Sequence, residues 1–222
     1  MKIDIIMQQT KTTSAENSRQ ALIISAGELF AENGVSGTNV RSIAAKAGCN
    51  VALINYHFGT KDGLVNAVID FVLESYRNYL PDEFIRRNET LWETRSGQRK
   101  IVEYMVDQAF EFIRPRKENR WMNTFIMRCS ETNEIGRKRI LQEILIPGCI
   151  RYTKTYAKIT GSTNYQQARC WAMSVFSPAF IYATNPAIID DTCPRKKADD
   201  HFFDELKKWS INTALHGLGL EQ

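Results

Sequence analysis

The apolar positions of this chain recur every three or four residues almost throughout, the spacing of helices with one buried face. The first clear run covers 14–33, with Leu22, Ile23, Ala26, Leu29 and Phe30 on one side and Asn33-Gly34 placed to stop it. Two short helices are expected at 39–47 and 51–58, and then a longer one at 61–79 that Pro81 ends. The stretch 83–97 is polar and weakly periodic, a connection with room for a short helical turn. Longer helices follow at 97–113, 118–130, 134–159, 164–184 and 199–217, the one at 134–159 bent by its internal Pro147-Gly148. The stretch 185–197, with Pro186 and Pro194, reads as a loop. No alternating apolar and polar run is long enough for a strand. The expected fold is all-α.

The pattern divides the chain into a small three-helix unit, 1–62, and a larger all-α unit, 63–222. At 222 residues the chain can bury a core without disulfides or a structural metal. Its 43% hydrophobic and 24% charged residues are the balance of a soluble globular protein. No stretch approaches the ~18 apolar residues of a membrane span, and 1–10 lacks the apolar run of a signal peptide, so no membrane partner is expected. Cys49, Cys129, Cys149, Cys170 and Cys193 are scattered, with no Cys-x-x-Cys pair. That argues against a disulfide framework or a zinc site and for a reducing, cytoplasmic setting, with no metal and no cofactor. His57, His201 and His216 stand alone, and there is no Gly-rich phosphate loop, nucleophile elbow or HExxH pattern. A small-molecule enzyme on an all-α scaffold is therefore the weakest alternative, and no catalytic residue is expected.

The segment 38–58 carries the sharpest signal. Thr38 suits an N-cap for the first short helix, Arg41 projects from its first turn, and Val40, Ile43, Ala44 and Ala47 fall at core spacing. Ala47-Gly48-Cys49 makes a tight turn in which Gly48 tolerates a positive φ, and Asn50 caps the next helix. Two such helices joined by a Gly-containing turn form a helix-turn-helix, whose second helix enters the DNA major groove. On that helix Val51, Ala52, Asn55 and Tyr56 share one face, while Ile54 and Phe58 point back toward Leu29, Phe30 and Ile43. The net charge of +4 says little by itself, and 1–62 holds six basic against five acidic residues. Between Thr38 and Lys61, however, there are three basic residues (Arg41, Lys46, Lys61) and no acidic one, a face suited to a phosphate backbone. By charge alone the same three helices could equally be a bundle end with a solvated surface.

The residue identities resolve that choice. Ala26, Leu29-Phe30-Ala31-Glu32-Asn33-Gly34, Thr38-Asn39-Val40-Arg41-Ser42-Ile43-Ala44, Ala47-Gly48-Cys49, Ile54-Asn55-Tyr56-His57-Phe58 and Lys61-Asp62-Gly63-Leu64 together resemble the TetR/AcrR family of bacterial transcriptional regulators. The likeness is strong over about the first quarter of the chain. Beyond it, the chain is similar to the family only in being all-α. The resemblance implies an N-terminal helix-turn-helix DNA-binding domain joined to a larger helical ligand-binding and dimerisation domain. It also implies a regulator, a repressor first of all, that holds a palindromic double-stranded DNA operator as a homodimer and is released by a small-molecule effector. Thr38, Arg41, Asn50, Val51, Ala52, Asn55, Tyr56, His57 and Lys61 are the implied DNA contacts. Tyr56 and His57 match the family's aromatic–His pair and Lys61 its phosphate-binding lysine. His57 could instead have its ring satisfied internally, and Tyr56 could pack its ring with only the hydroxyl at the phosphate. Asn55 and Val51 depart from the commoner Tyr and polar residue. Asn reads adenine and aliphatic groups touch thymine methyls, which predicts an A/T-leaning half-site.

In the larger unit the expected ligand-binding residues are Trp92, Tyr104, Trp121, Phe125, Arg128, Trp171 and Phe176, an aromatic set of the kind that lines pockets between helices. At helical spacing the same residues also suit a plain core. Arg128, on the face of Trp121 and Phe125, either pairs with Glu131 or anchors an anionic ligand. The helix at 164–184 carries an apolar stripe with small residues that allow close approach, and that at 199–217 is too apolar around its circumference for a free surface helix. They supply the expected dimer interface: Ala168, Trp171, Ala172, Val175, Ala179, Phe202, Leu206 and Trp209. The alternative regulator is a redox switch at Cys49, in the turn of the reading helices, or at Cys129.

Overall fold

The computed structural model describes residues 14–114, 116, 120–132, 134–184, 191–192 and 199–221. The segment 1–13, Cys193 and nearly all of the expected loop at 185–197 lie outside them. Helix α1 spans Ser14–Gly37, α2 Val40–Lys46, α3 Ala52–Phe58 and α4 Lys61–Arg77. The polar connection holds a short helix, α5 (Asp82–Arg87), and a 3₁₀ turn at Glu89–Glu93. Then come α6 (Arg95–Ile113), α7 (Arg120–Thr132), α8 (Glu134–Ile140), α9 (Ile146–Thr160), α10 (Tyr165–Thr184) and α11 (Asp200–His216). No strand occurs among the described residues, and the fold is all-α as the periodicity predicts.

Helix breakers act where expected, with one refinement. Gly34 leaves the helical path at φ 75° and ψ 164°, so the regular part of α1 ends at the Asn33-Gly34 stop. The bend expected at Pro147 is a π turn, Leu141–Leu145, just upstream of it. Pro147 has no N–H for the carbonyl four residues earlier, and the wider register absorbs the missing bond. Pro178 sits inside α10, a second interruption the periodicity does not reveal.

One apolar core runs through all the longer helices. The ring of Phe30 in α1 stacks on Phe125 in α7 at 6.3 Å. Beside it a Cβ at Gly27 would lie 2.2 Å from the Trp121 ring, so α1 meets α7 through a glycine. α4 buries Leu64, Val65, Val68, Ile69 and Val72 along most of its length. Arg139 of α8 pins to it through Asp70 (2.9 Å). Phe110 of α6 meets Phe203 of α11 at 5.4 Å, and Arg114 lies 4.6 Å over the same Phe203 ring. Trp171 of α10 donates its indole N–H to the Ala214 carbonyl (3.0 Å), and Gly217 leaves room for the ring.

Candidate nucleic-acid interface and effector cavity

The outward face of α3 is the one its spacing predicts. Ala52, Asn55 and Tyr56 are exposed and Val51 is half-buried, while Ile54 is buried in the core with Phe58 packed beside it. Gly48 adopts φ 64° in the turn between α2 and α3. Asn50 accepts the Ala52 N–H on its side-chain oxygen at 2.8 Å, which leaves its amide nitrogen free to donate outward. The opening of α4 is set by Thr60, which caps it by accepting the Gly63 N–H at 3.0 Å. A Cβ at Gly63 would lie 2.0 Å from the Phe58 carbonyl oxygen, so the end of α3 rests directly on the first turn of α4. That contact fixes Lys61 beside the reading helix.

Three expectations change here. The N-cap of α2 is Asn39, which accepts the Ser42 N–H at 2.8 Å, and not Thr38. Thr38 is 4% exposed, and its hydroxyl donates to the Leu29 and Gly34 carbonyls at 3.1 and 2.8 Å. It ties the turn after α1 together rather than facing outward. Lys46 is drawn back to α1, 3.0 Å from Glu28, so the acid-free count along 38–61 overstates the positive face. The acids that balance it lie one helix earlier in sequence, where a count along the chain does not look. His57 uses Nε2 on the Ser18 hydroxyl of α1 (3.2 Å), so one of its ring nitrogens is satisfied within the chain. It also meets Tyr56 edge-on at 4.9 Å, and Tyr56 itself is 77% exposed. Arg41 stays exposed. Arg19, which the pattern leaves unmarked, is exposed at the start of α1 with its guanidinium 5.5 Å from the Phe58 ring centroid. Its only sequence signal is its place in the first turns of α1.

A cavity enclosing about 750 Å³ of space outside the atoms, its open mouth included, lies in the larger unit. Tyr76 and Tyr79 at the end of α4, Phe112 of α6, Asn123 and Ile126 of α7, Arg151 and Tyr152 of α9 and Phe176 of α10 contribute walls. Its apolar lining with a few polar groups is that of a small-molecule site. Asn123 is buried and donates to the Ile113 carbonyl at 2.7 Å, and Tyr152 donates to the Met105 carbonyl at 3.1 Å. Burial pushes the Tyr152 phenol well above its ordinary value and also raises Tyr76, the latter against the opposing pull of Arg151.

Of the expected ligand-binding residues only Phe176 lines this cavity. Trp121 and Phe125 seal the junction with α1, and Trp171 is held against α11. Trp92 takes Lys158 over its ring at 4.1 Å, and Tyr104 stacks on Phe84 at 3.9 Å. Arg128 is exposed rather than set in an apolar face. Large rings were the expected signal, but here they fill helix junctions. The walls come instead from tyrosines, from Phe112, Phe176 and Phe180, and from aliphatic residues, which periodicity cannot separate from core. Two tyrosines three residues apart where α4 ends, and a lone Asn in the apolar face of α7, were the available clues.

The expected dimer residues divide in the same way. Ala168, Trp171, Ala172, Val175 and Ala179 are all buried in the chain's own core, and Phe202 and Leu206 are half-buried. The apolar stripe of α10 faces inward because it packs on α9 and α11. Its outward side carries Met173 and Ile181, both exposed, and with Leu206 they border a shallow apolar groove. Trp209 of α11 is 69% exposed. Among the cysteines, burial pushes the Cys129 thiol up to about 12, which leaves it unreactive. Cys49 is half-buried and donates weakly to the Ala47 carbonyl.

Residues 22–68 match the family of bacterial regulatory proteins, tetR family. The HTH-type transcriptional repressor Rv3405c of Mycobacterium tuberculosis is 47% identical over 58 residues, which are 26% of this chain and 31% of that protein. The chain thus spans about a third of the length of that curated relative. A TetR-family transcriptional regulator from Mesorhizobium loti superposes with a TM-score of 0.58 at 15% identity, over 94% of this chain and 98% of the other. AibR, in a complex with isovaleryl coenzyme A and operator DNA, superposes with a TM-score of 0.57 at 11% identity, over 88% and 96%. At these identities the structural likeness speaks for the fold, and it extends over nearly the whole chain.

Proposed function

With a TetR-family helix-turn-helix in residues 22–68 as premise, we propose that this chain is a ligand-responsive transcriptional repressor. It holds a palindromic operator as a homodimer and lets go when a small molecule fills the cavity of the larger unit. The observation that carries the reading is the course of α4: Lys61 opens it beside the reading helix, and Tyr76 in its last turn, with Tyr79 just past its end, stands in the cavity wall. A ligand that moves those tyrosines moves the helix that positions the reading helices, which is coupling through a shared rigid element. The division into 1–62 and 63–222 is accordingly one of roles, because the boundary falls inside α4.

Within the reading unit, Arg41, Asn50, Val51, Ala52, Asn55, Tyr56, His57 and Lys61 are kept as DNA contacts and Arg19 is added. Thr38 acts from behind, by holding the turn. Dimerisation is assigned to the outward face of α10 and α11, with Met173, Ile181, Leu206 and Trp209. The repressor name of the mycobacterial relative and the operator complex of AibR support the sign of regulation and the DNA partner. Selection of bound DNA from a random pool tests all of this together. Two inverted half-sites centred ~34–36 Å apart, or a multiple of that, are expected for a two-fold dimer. No enrichment, or a single unrepeated half-site, overturns it. Operator DNA must also weaken ligand binding reciprocally, and equal ligand affinity with and without it contradicts release by ligand.

A further inference from the structure

Arg151 is the one charged side chain among the described residues lining the cavity. Its guanidinium pairs with Asp82, the first residue of α5, with Nη2–Oδ2 at 2.8 Å and Nε–Oδ1 at 3.3 Å. The two ends of this pair live in different surroundings. The Arg151 side chain is 18% exposed and lies against the cavity, whereas Asp82 is 62% exposed and stands in solvent. An exposed carboxylate is screened by water and salt and holds its partner loosely. A carboxylate arriving from the apolar side would meet the same guanidinium in a drier place, where a charge-assisted bidentate bond is stronger.

Two further features suit such an anion. Tyr76 stands in the same cavity wall as Arg151, whose charge opposes the effect of burial on the Tyr76 phenol, and its hydroxyl can donate to an acceptor in the cavity. Gly148, three residues before Arg151 on α9, keeps open the space that a Cβ would take in contact with the Tyr76 hydroxyl, at 3.7 Å. The remaining walls, among them Met105, Phe112, Ile126 and Ile144, offer apolar contact and no second charge.

Resting on the reading of this cavity as the effector site, we propose that the effector is an apolar molecule bearing one carboxylate, and that this carboxylate displaces Asp82 from Arg151. The displacement has a mechanical consequence. Asp82 follows Pro81 directly after α4 and its last turn, so the Arg151–Asp82 pair ties the cavity end of α4 to α9. Exchange of one carboxylate for the other unties it.

The test uses the full chain without DNA, titrated with 2-naphthylacetate and with its methyl ester, and read by tryptophan fluorescence and by the shift in Tm. The wild-type chain is expected to bind the acid about tenfold or more tightly than the ester, the range of a charged hydrogen bond. Arg151→Gln should remove that preference and leave ester binding in place, and Arg151→Lys should retain part of it. Asp82→Asn, at an exposed position, should raise acid affinity severalfold with the ester unchanged, because it removes the competitor. Equal acid and ester affinities, binding of neither, or an Asp82→Asn variant weakened for the acid as Arg151→Gln is would each overturn the proposal. The last result is what a purely structural ion pair gives. Because ligand binding is read without DNA, a failed operator selection would sink the repressor reading and leave this result standing. A recovered palindrome with no acid preference would do the reverse.

Discussion

A Cβ at Gly63 would lie 2.0 Å from the carbonyl oxygen of Phe58, and backbone cannot step aside as a flexible side chain does. Gly63→Ala is therefore expected to destabilise the chain by about 1–3 kcal/mol, the range of an overpacked site, and to tilt α3 against α4. Urea unfolding checks the first effect, and operator affinity per folded molecule checks the second. Thr38 makes a contrasting case. Thr38→Val keeps the shape and removes a hydroxyl that serves two carbonyls, which costs about 1–3 kcal/mol. Because Thr38 is buried, the folded variant should hold DNA nearly as well as wild type. A loss of DNA affinity with stability unchanged would instead give it a direct contact. Asn55, exposed on the outward face of α3, should behave oppositely: Asn55→Ala leaves stability alone and relaxes base preference by about 1–3 kcal/mol at one position. An unchanged binding-site profile would remove it from the reading surface.

Among helices, the pairing of α6 with α11 has a definite pH dependence. Glu111 is partly buried, which opposes its ionisation, yet hydrogen bonds from Arg114 and Lys207 outweigh that and hold its carboxyl below the usual value. A carboxylate lowered in the folded state adds stability above the ordinary glutamate range, and that stability is lost as pH falls through the lowered value. The stability gap between wild type and Glu111→Gln should thus be full at pH 7 and shrink in acid. Urea titrations at several pH values measure it, and a gap independent of pH would rule the carboxylate out. The α1–α7 junction is a second element-scale feature. Gly27 and Trp121 set the distance between a helix of the reading unit and a helix whose Asn123 and Ile126 wall the cavity. α7 therefore offers a route from cavity to reading unit beside that of α4.

For the whole molecule, the exposed apolar side of α10 and α11 should decide the oligomeric state. Trp209→Asp places a charge in the proposed two-fold interface, and sedimentation should then show a monomer where wild type is a dimer. Charge distribution sets the salt response. With Lys46 held by Glu28, the described residues of the reading unit present Arg19, Arg41 and Lys61 as cations. A dimer with those contacts would show a slope of log affinity against log salt on the order of −5, at −0.9 per phosphate. A slope near −10 would bring in basic residues from outside the described reading unit. On the proposed reading, backbone N–H groups and hydroxyls would supply further contacts that release no counterion.

What the sequence determined by itself is local: the helices and their stops, the turn at Gly48, the inward side of α3, and the all-α class. Each of these follows from residue spacing and backbone preference within about ten positions, so a reading along the chain can reach them. The two short helices and their turn were legible for the same reason, since they lie within 38–58, while the resemblance of the residue identities to the TetR/AcrR family decided what spacing and charge left open. What only the tertiary structure decided was which apolar side faces what. A helical stripe shows that Trp121, Trp171 and Val175 are buried, but not whether a neighbouring helix, a ligand or a second copy buries them. The pairing of Lys46 with Glu28, of His57 with Ser18 and of Arg151 with Asp82 joins residues 18 to 69 positions apart. Side chains meet across helices packed by the whole core, and that packing fixes where charge is cancelled and where a cavity remains.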